Sequence, residues 1–142
     1  MKQPIQILLI EDDRDDIELF ELTLVDNNIP YSLQVLNDGA EASNYFHTDN
    51  RLPHVIIMDF NLPKIHGREI LKEYIQSKYA HIPLIVLTTS SAPEDRNYAL
   101  KNGANDFFIK PSTRQGLTDT VNAIIEIAER SKKTSSFFKH IP

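Results

Sequence analysis

Short apolar runs rich in β-branched residues recur five times along the chain. The central runs are almost continuous rather than alternating, which is typical of parallel strands buried on both faces. We therefore predict strands at Ile5–Ile10, Leu33–Leu36, Val55–Met58, Leu84–Leu87 and Phe107–Ile109. Because helical segments separate these runs, the pattern favours an α/β fold.

The segments that follow the strands carry apolar residues at helical spacing, as in helices that pack one face on a sheet. The clearest of them contains Leu117, Val121, Ile124, Ile125 and Ala128. Five βα units joined by right-handed crossovers form a doubly wound parallel sheet. We expect a (βα)5 architecture with the strand order 2-1-3-4-5.

Local signals predict where two of the helices begin or end. In the sequence Ser91-Ala92-Pro93-Glu94, Ser91 is expected to cap the fourth helix, and Gly103 suits the position just after it. Ser112 or Thr113 is expected to cap the fifth helix.

The length of 142 residues allows one domain. We expect a single domain over residues 1–130 and a short tail over 131–142, polar apart from Phe137 and Phe138. This tail is too small to form an output domain.

Composition narrows the range of functions. The net charge of −5 argues against a nucleic-acid partner, which requires clustered positive charge. The chain has no cysteine, no signal-peptide pattern and no apolar run of the ~20 residues that a membrane span needs, so we expect a cytoplasmic protein without a membrane partner. Its four glycines are far apart, which excludes glycine-rich nucleotide loops.

Polar residues follow four of the predicted strands: Glu11-Asp12-Asp13, Asp59-Phe60-Asn61, Thr88-Thr89-Ser90 and Lys110-Pro111. In the order 2-1-3-4-5 the first and third strands are neighbours, so Glu11, Asp12 and Asp59 are expected to converge. Three close carboxylates repel one another, and a hard divalent cation removes that cost. The pattern therefore predicts a Mg²⁺ site, with Lys110 and Thr88 near enough to hold phosphoryl oxygens.

Plainer interpretations of the same residues stay open at this point. The acidic run at 11–13 can be a solvated turn that favours the next helix N-terminus. Lys110 can be a surface lysine, and Thr88 can be an ordinary strand residue. Asp59 is harder to explain in this way, because a carboxylate at the end of a buried strand needs a partner.

Over about residues 4–130 the chain resembles the receiver domain of bacterial two-component response regulators. The resemblance rests on five motifs in the order and spacing of that family: Ile-Glu-Asp-Asp at 10–13, Asn-Asp-Gly-Ala-Glu-Ala at 37–42, Met-Asp-Phe-Asn-Leu-Pro-Lys-Ile-His-Gly at 58–67, Leu-Thr-Thr-Ser at 87–90 and Ile-Lys-Pro at 109–111. It implies a flavodoxin-like receiver fold. Asn-Leu-Pro-Lys and the stretch His47–Pro53 are most similar to single-domain regulators that partner phytochrome kinases.

The resemblance also implies roles for individual residues. Asp59 would accept a phosphoryl group from the phosphohistidine of a sensor histidine kinase. Asp12 and Asp59 would bind Mg²⁺ directly, Glu11 would bind it through water, and Asn61 would offer its backbone carbonyl.

Roles for three more residues follow from the same resemblance. Lys110 would pair with the phosphoryl group and be joined to Pro111 by a cis peptide. Thr88 would supply the switch hydroxyl, and Phe107 would be the aromatic residue that reports phosphorylation. We place the output surface on the fourth helix, the fifth strand and the fifth helix. The charge pattern of Asp119, Asn122, Glu126 and Arg130, expected to be exposed on the fifth helix, suits a homodimer contact.

Two other functions remain as alternatives. A Mg²⁺-dependent aspartyl-phosphate phosphohydrolase would also use Asp59 as its nucleophile, but it needs a second acid where this chain has Asn61. A protein-binding module that works without phosphorylation is the other. We expect a phosphoacceptor signalling protein rather than an enzyme, with only self-phosphorylation and autodephosphorylation chemistry.

Overall fold

A computed structural model describes residues 3–139 of the chain, with side chains described as far as Lys133. Five strands alternate with five helices: β1 Ile5–Ile10, α1 Arg14–Asp26, β2 Tyr31–Leu36, α2 Gly39–Phe46, β3 Val55–Met58, α3 Gly67–Ile75, β4 Leu84–Thr88, α4 Pro93–Lys101, β5 Asp106–Ile109 and α5 Arg114–Lys139.

All five strands form one parallel sheet in the order β2-β1-β3-β4-β5, which confirms the predicted topology. In the register of β1 and β3, Ile10 lies opposite Met58. The two residues that follow, Glu11 and Asp59, therefore leave neighbouring strands at the same level. The amide of Asp59 donates to the carbonyl of Ile10 at 3.0 Å and fixes this alignment.

The core has one layer on each face of the sheet. Helices α2, α3 and α4 cover one face with residues such as Phe46, Tyr74 and Ala99. Helices α1 and α5 cover the other with residues such as Phe20 and Ile124. Strand β3, in the centre, is buried along its whole length, as its continuous apolar sequence predicts.

The predicted bounds of β1 and β3 are confirmed, and the other three strands are longer than predicted. The largest difference is in β2, which begins at Tyr31 rather than Leu33. This strand lies at the edge of the sheet, and the burial of its residues alternates. Its first residues therefore lack the continuous apolar signal of the central strands.

The helix ends confirm two of the predicted signals and correct one. Thr113 Oγ1 accepts from the amide of Gly116 at 3.0 Å, and Gly103 has a positive φ of 113° just after the end of α4. Ser91 does not cap α4. The N-cap is Ala92, because Pro93 occupies the first helical position, and no side chain accepts a hydrogen bond there.

Helix α5 continues to Lys139, whereas the sequence pattern predicted a short tail over 131–142. The apolar spacing ends at Ala128, so periodicity carries no signal for this extension. Lys132 ties it to the rest of the fold by donating to the carbonyl of Gln3 at 2.6 Å. The side chains of Phe137 and Phe138 lie outside the described ones.

Within residues 3–139, no helix is both long and apolar enough to cross a membrane.

Candidate functional site

Three carboxylates lie together where β1 and β3 end. Glu11, Asp12 and Asp59 each have an oxygen within 4.8 Å of the others, as the strand order predicted. Glu11 and Asp59 are buried, and Asp12 is exposed. The arrangement places two anions inside the protein and a third at its surface, around one small volume.

Backbone amides of the neighbouring loops hold the two buried carboxylates. Glu11 Oε2 accepts from the amides of Asp12 at 3.0 Å and Asp13 at 3.2 Å. Asp59 Oδ1 accepts from the amide of Asn61 at 3.1 Å. One oxygen of each carboxylate is thus fixed by the chain that follows its own strand.

The other oxygens meet Lys110, which β5 brings to the site. Its Nζ lies 2.6 Å from Glu11 Oε1, 3.0 Å from Asp59 Oδ2 and 2.6 Å from Asp16 Oδ2. The Lys110 amide also donates to the carbonyl of Thr88 at 2.7 Å. Its side chain is only 14% exposed, so the surface-lysine interpretation is wrong.

Asp16 is the site residue that sequence reasoning missed. It lies in the first turn of α1, four positions after Asp12, within a run of acids at 11–16. The helical spacing after the N-cap Asp13 places it on the side of α1 that faces β5. That spacing was the available signal, but the lysine it meets is 94 residues away in the sequence.

The electrostatics reflect a crowded, partly buried set of charges. Burial raises the pKa of Glu11 from 4.5 to about 7; hydrogen bonds from Lys110 and the Asp13 amide oppose the rise, and the Asp59 charge adds to it. Burial disfavours the charged form of Lys110, but its hydrogen bonds to Asp16, Glu11 and Asp59 outweigh this and raise its pKa above the usual value.

The donor set suits a hard divalent cation. Glu11, Asp12 and Asp59 offer carboxylate oxygens within 4.8 Å of one another, and hard cations such as Mg²⁺ prefer oxygen ligands of this type. Asp12 offers an exposed carboxylate through which a partly hydrated ion can enter. The residues present therefore fit the predicted metal.

Thr88 and Phe107 lie on the neighbouring strands rather than among the carboxylates. The Thr88 side chain is fully buried, and its hydroxyl accepts from the amide of Ser90 at 3.4 Å. Phe107 is buried with its ring edge-on to Phe60, at 6.1 Å between centroids. This ring contact joins β5 to the residue that follows Asp59.

One implication of the resemblance is wrong for this structure. The described residues contain no cis peptide bond, so the bond between Lys110 and Pro111 is trans. The trans form is the more stable one for an X–Pro bond unless its surroundings favour cis.

A parallel five-stranded sheet with acidic residues after β1 and β3 and a lysine after β5 is typical of receiver domains. Comparison with known proteins places the chain in the same class. The family model of the response regulator receiver domain matches residues 7–122. The chain belongs to this family. It is a receiver-domain signalling protein of the two-component type, and neither alternative function is favoured.

Its relatives include two cyanobacterial response regulators. Response regulator Rcp1 of Synechocystis is 32% identical over 127 residues, which cover 85% of this chain and 86% of Rcp1. The crystal structure of the phosphorylated cyanobacterial phytochrome response regulator RcpA has a TM-score of 0.79 at 30% identity, with 87% of this chain and 93% of RcpA covered.

A third structure is the receiver domain of the sensor histidine kinase PA1611 from Pseudomonas aeruginosa, with a magnesium ion coordinated in its active-site cleft. It has a TM-score of 0.70 at 26% identity, and the match covers 87% of this chain and 99% of that domain. Rcp1 has been solved in a Mn²⁺-bound form. The chain spans about half the length of some other relatives, such as ycf27 of Guillardia theta.

Proposed function

We propose that Asp59 is the phosphoacceptor of this receiver and that it takes its phosphoryl group from a sensor histidine kinase. An Asp59 oxygen attacks phosphorus, the P–N bond of the phosphohistidine breaks, and its electron pair stays on the imidazole nitrogen, which takes up a proton. The observation that carries this proposal is the position of Asp59, buried just after β3 with an oxygen 3.0 Å from the Lys110 ammonium and beside Glu11.

Mg²⁺ is the metal that we expect at the acidic cluster. Asp12 and Asp59 would hold it directly, Glu11 through water, and Asn61 through its backbone carbonyl. When bound, the ion neutralises charge on the phosphoryl oxygens. The magnesium in the PA1611 receiver and the manganese in Rcp1 support this assignment.

Lys110 is the protein's own cation at the site. It hydrogen-bonds Asp59 before phosphorylation. Once Asp59 is an acyl phosphate, the ammonium is expected to bind a phosphoryl oxygen instead, which stabilises the negative charge in a place largely closed to water.

The response side would begin at Thr88 and Phe107. In the structure the Thr88 hydroxyl is engaged by its own loop, and a phosphoryl oxygen would offer it a charged acceptor. Movement of that loop would reach β5 through Phe107, whose carbonyl accepts from Arg96 of α4 at 3.1 Å. The surface expected to change is therefore α4, β5 and α5.

The kinase partner is proposed to be of the phytochrome type. The support is the similarity to the cyanobacterial phytochrome response regulator RcpA. The proposal treats the protein as a phosphoacceptor whose chemistry is limited to gaining and losing the phosphoryl group, not as a turnover enzyme.

A twofold contact through α4, β5 and α5 is the proposed response. Asp119, Asn122, Glu126 and Arg130 are exposed on α5. Strand β5 has one unpaired edge and carries Ile109, which is 52% exposed. Sedimentation of the chain with Mg²⁺ and beryllofluoride should show a dimer. If the chain is still a monomer at high micromolar concentration, the proposed dimer is wrong, but the receiver function is not contradicted.

Intact-mass spectrometry after incubation with a small acyl phosphate tests the phosphoacceptor role. With Mg²⁺ the wild type should gain the mass of one phosphoryl group, about 80 Da, and Asp59→Asn should gain none. Asp49→Asn, which removes an exposed aspartate paired with Lys78, is the matched control and should behave as the wild type. Phosphoryl uptake by Asp59→Asn would overturn the assignment.

A further inference from the structure

Asp16 contacts Lys110 as closely as Glu11 does. Its Oδ2 lies 2.6 Å from Lys110 Nζ, nearer than the 3.0 Å of Asp59. The backbone of Asp16 is fixed as well, because its amide donates to the side chain of the N-cap residue Asp13 at 3.1 Å. A rigid helix start therefore holds one of the three acids around the lysine.

Three carboxylate oxygens lie around the ammonium group of Lys110. A lysine ammonium has three N–H donors. In the structure Glu11, Asp16 and Asp59 each supply one carboxylate oxygen within 3.0 Å. Two of these carboxylates, those of Glu11 and Asp16, belong to the segment that follows β1. The third belongs to Asp59, the proposed phosphoacceptor.

The difference between the two carboxylates after β1 and that of Asp59 becomes important when Asp59 is phosphorylated. The N–H that now meets Asp59 must then reach a phosphoryl oxygen, while the other two can stay where they are. We propose that Asp16 is a positioning residue that, together with Glu11, anchors the Lys110 ammonium so that its third N–H stays directed at the phosphoryl position. This inference rests on the proposed function of Asp59.

The physical basis is pre-organisation. Lysine has a flexible four-carbon stem, and ordering it at the moment of binding costs conformational entropy. Two fixed anchors remove most of that cost before the phosphoryl group arrives. With Glu11 alone, the ammonium can still turn about its single remaining anchor.

A simpler role for Asp16 is to stabilise α1 as an acid in its first turn. Asp15 offers the matched control, because it lies in the same turn and carries the same charge, yet is exposed to solvent. Asp15→Ala removes the helix-charge effect without removing an anchor of Lys110.

Calorimetric titration of the full chain with beryllofluoride in saturating Mg²⁺ tests the proposal. Asp16→Ala should weaken beryllofluoride binding about five- to tenfold, which is less than the full worth of a charged hydrogen bond because Glu11 still anchors the ammonium. Asp16→Asn, which keeps an oxygen acceptor at this position, should recover part of that affinity. Asp15→Ala should bind as the wild type does.

Two further measurements separate positioning from structural support. Asp16→Ala should change the affinity for Mg²⁺ alone less than the affinity for beryllofluoride, because Asp16 acts on the phosphoryl position through Lys110. In a Lys110→Ala background, Asp16→Ala should cause no additional loss of beryllofluoride affinity. An equal loss in that background would overturn the proposal, because Asp16 would then act without Lys110.

The proposed function fails separately from this inference. If the wild type binds no beryllofluoride, the phosphoacceptor site itself is wrong. If the wild type binds it and Asp16→Ala binds it equally well, only the role of Asp16 is overturned.

Discussion

Helices α3 and α4 are both nine residues long and follow neighbouring strands, but the protein holds them in different ways. Helix α3 buries Gly67, Ile70, Leu71 and Tyr74, whereas Ala99 is the only buried residue of α4. A Cβ on Gly67 would lie 2.6 Å from Phe60 Cα, so α3 starts in direct contact with the loop after Asp59.

Helix α4 is held to the rest of the fold mainly by polar contacts rather than by buried apolar side chains. Asp95, in its first turn, accepts from the guanidinium of Arg68 and from the hydroxyl of Ser90. Arg68 also stacks on the ring of Tyr98, 4.6 Å from its centroid. Water can replace contacts of this kind when the helix moves, at a small cost compared with exposing apolar surface.

The difference matches the strands that the two helices follow. Helix α3 follows β3, the strand directly before Asp59, so the burial of this helix keeps the loop after Asp59 rigid. Helix α4 follows the strand that ends at Thr88, so a modest change in its contacts can shift the surface that is proposed to respond. Local stability is expected to be lower in α4 than in α3 for this reason.

The same substitution in the two helices gives the largest expected contrast. Tyr74 is fully buried, and its hydroxyl donates to the carbonyl of Ile82 at 2.6 Å. Tyr74→Ala should lower the free energy of unfolding by about 3–5 kcal/mol. Tyr98 is only half-buried, so Tyr98→Ala should cost about 1 kcal/mol. Urea unfolding followed by circular dichroism measures both values, and equal losses would remove the distinction between the helices.

Asp95→Asn should have a smaller effect, and one that depends on pH. The hydrogen bond from Arg68, followed by that from Ser90, lowers the pKa of Asp95 below its usual value of 3.8. A lowered pKa stabilises the fold above the unfolded-state value, and this stability is lost as pH falls through the folded-state pKa. At neutral pH we expect Asp95→Asn to cost about 1 kcal/mol.

The pH profile of that cost provides its own check. As pH falls below about 4 the wild type and Asp95→Asn should converge progressively in stability, and the difference should vanish only below the lowered folded-state pKa of Asp95. Glu94→Gln, an exposed neighbour in the same turn, is the control and should differ little from the wild type at either pH. A cost that is unchanged at low pH would mean that the charge of Asp95 does not hold α4.

The contrast between the helices also explains which parts of the fold the sequence could predict. The buried residues Ile70, Leu71 and Tyr74 are apolar and lie at helical spacing, so α3 can be recognised in the sequence. Helix α4 offers only Ala99 and Leu100, and the signal at its start, Ser91, is one position from the true N-cap. Contacts with Arg68, distant in sequence, decide where this helix lies.

The site follows the same logic. The sequence could predict that Glu11, Asp12 and Asp59 lie close together, because each is within two residues of the end of a strand whose place in the sheet was predictable. Lys110 could be placed at the same edge for that reason. Asp16 and the ring of Phe60 act from a helix and a loop, where no strand register fixes their direction, and only the structure shows what they contact.

The smallest expected effect comes from giving α4 the side-chain cap that α3 has. His66 Nδ1 accepts from the amide of Arg68 at 3.0 Å at the start of α3, while Ala92 offers no such acceptor to α4. Ala92 already has the extended backbone of an N-cap, with φ −66° and ψ 125°, so Ala92→Ser should add a hydrogen bond without strain. We expect about 0.5–1 kcal/mol of added local stability.

Hydrogen exchange at single amides measures this gain where it is expected. Ala92→Ser should slow exchange in α4 about two- to fivefold and leave α3 unchanged, since a cap acts on its own helix. Ala40→Ser, which adds a hydroxyl to an exposed first-turn position of α2, should slow neither helix. If the mobility of α4 carries the response, Ala92→Ser should also reduce the change that beryllofluoride causes at α4, β5 and α5. Slower exchange in α4 with an undiminished response would show that the weak attachment of α4 is not what allows the surface to change.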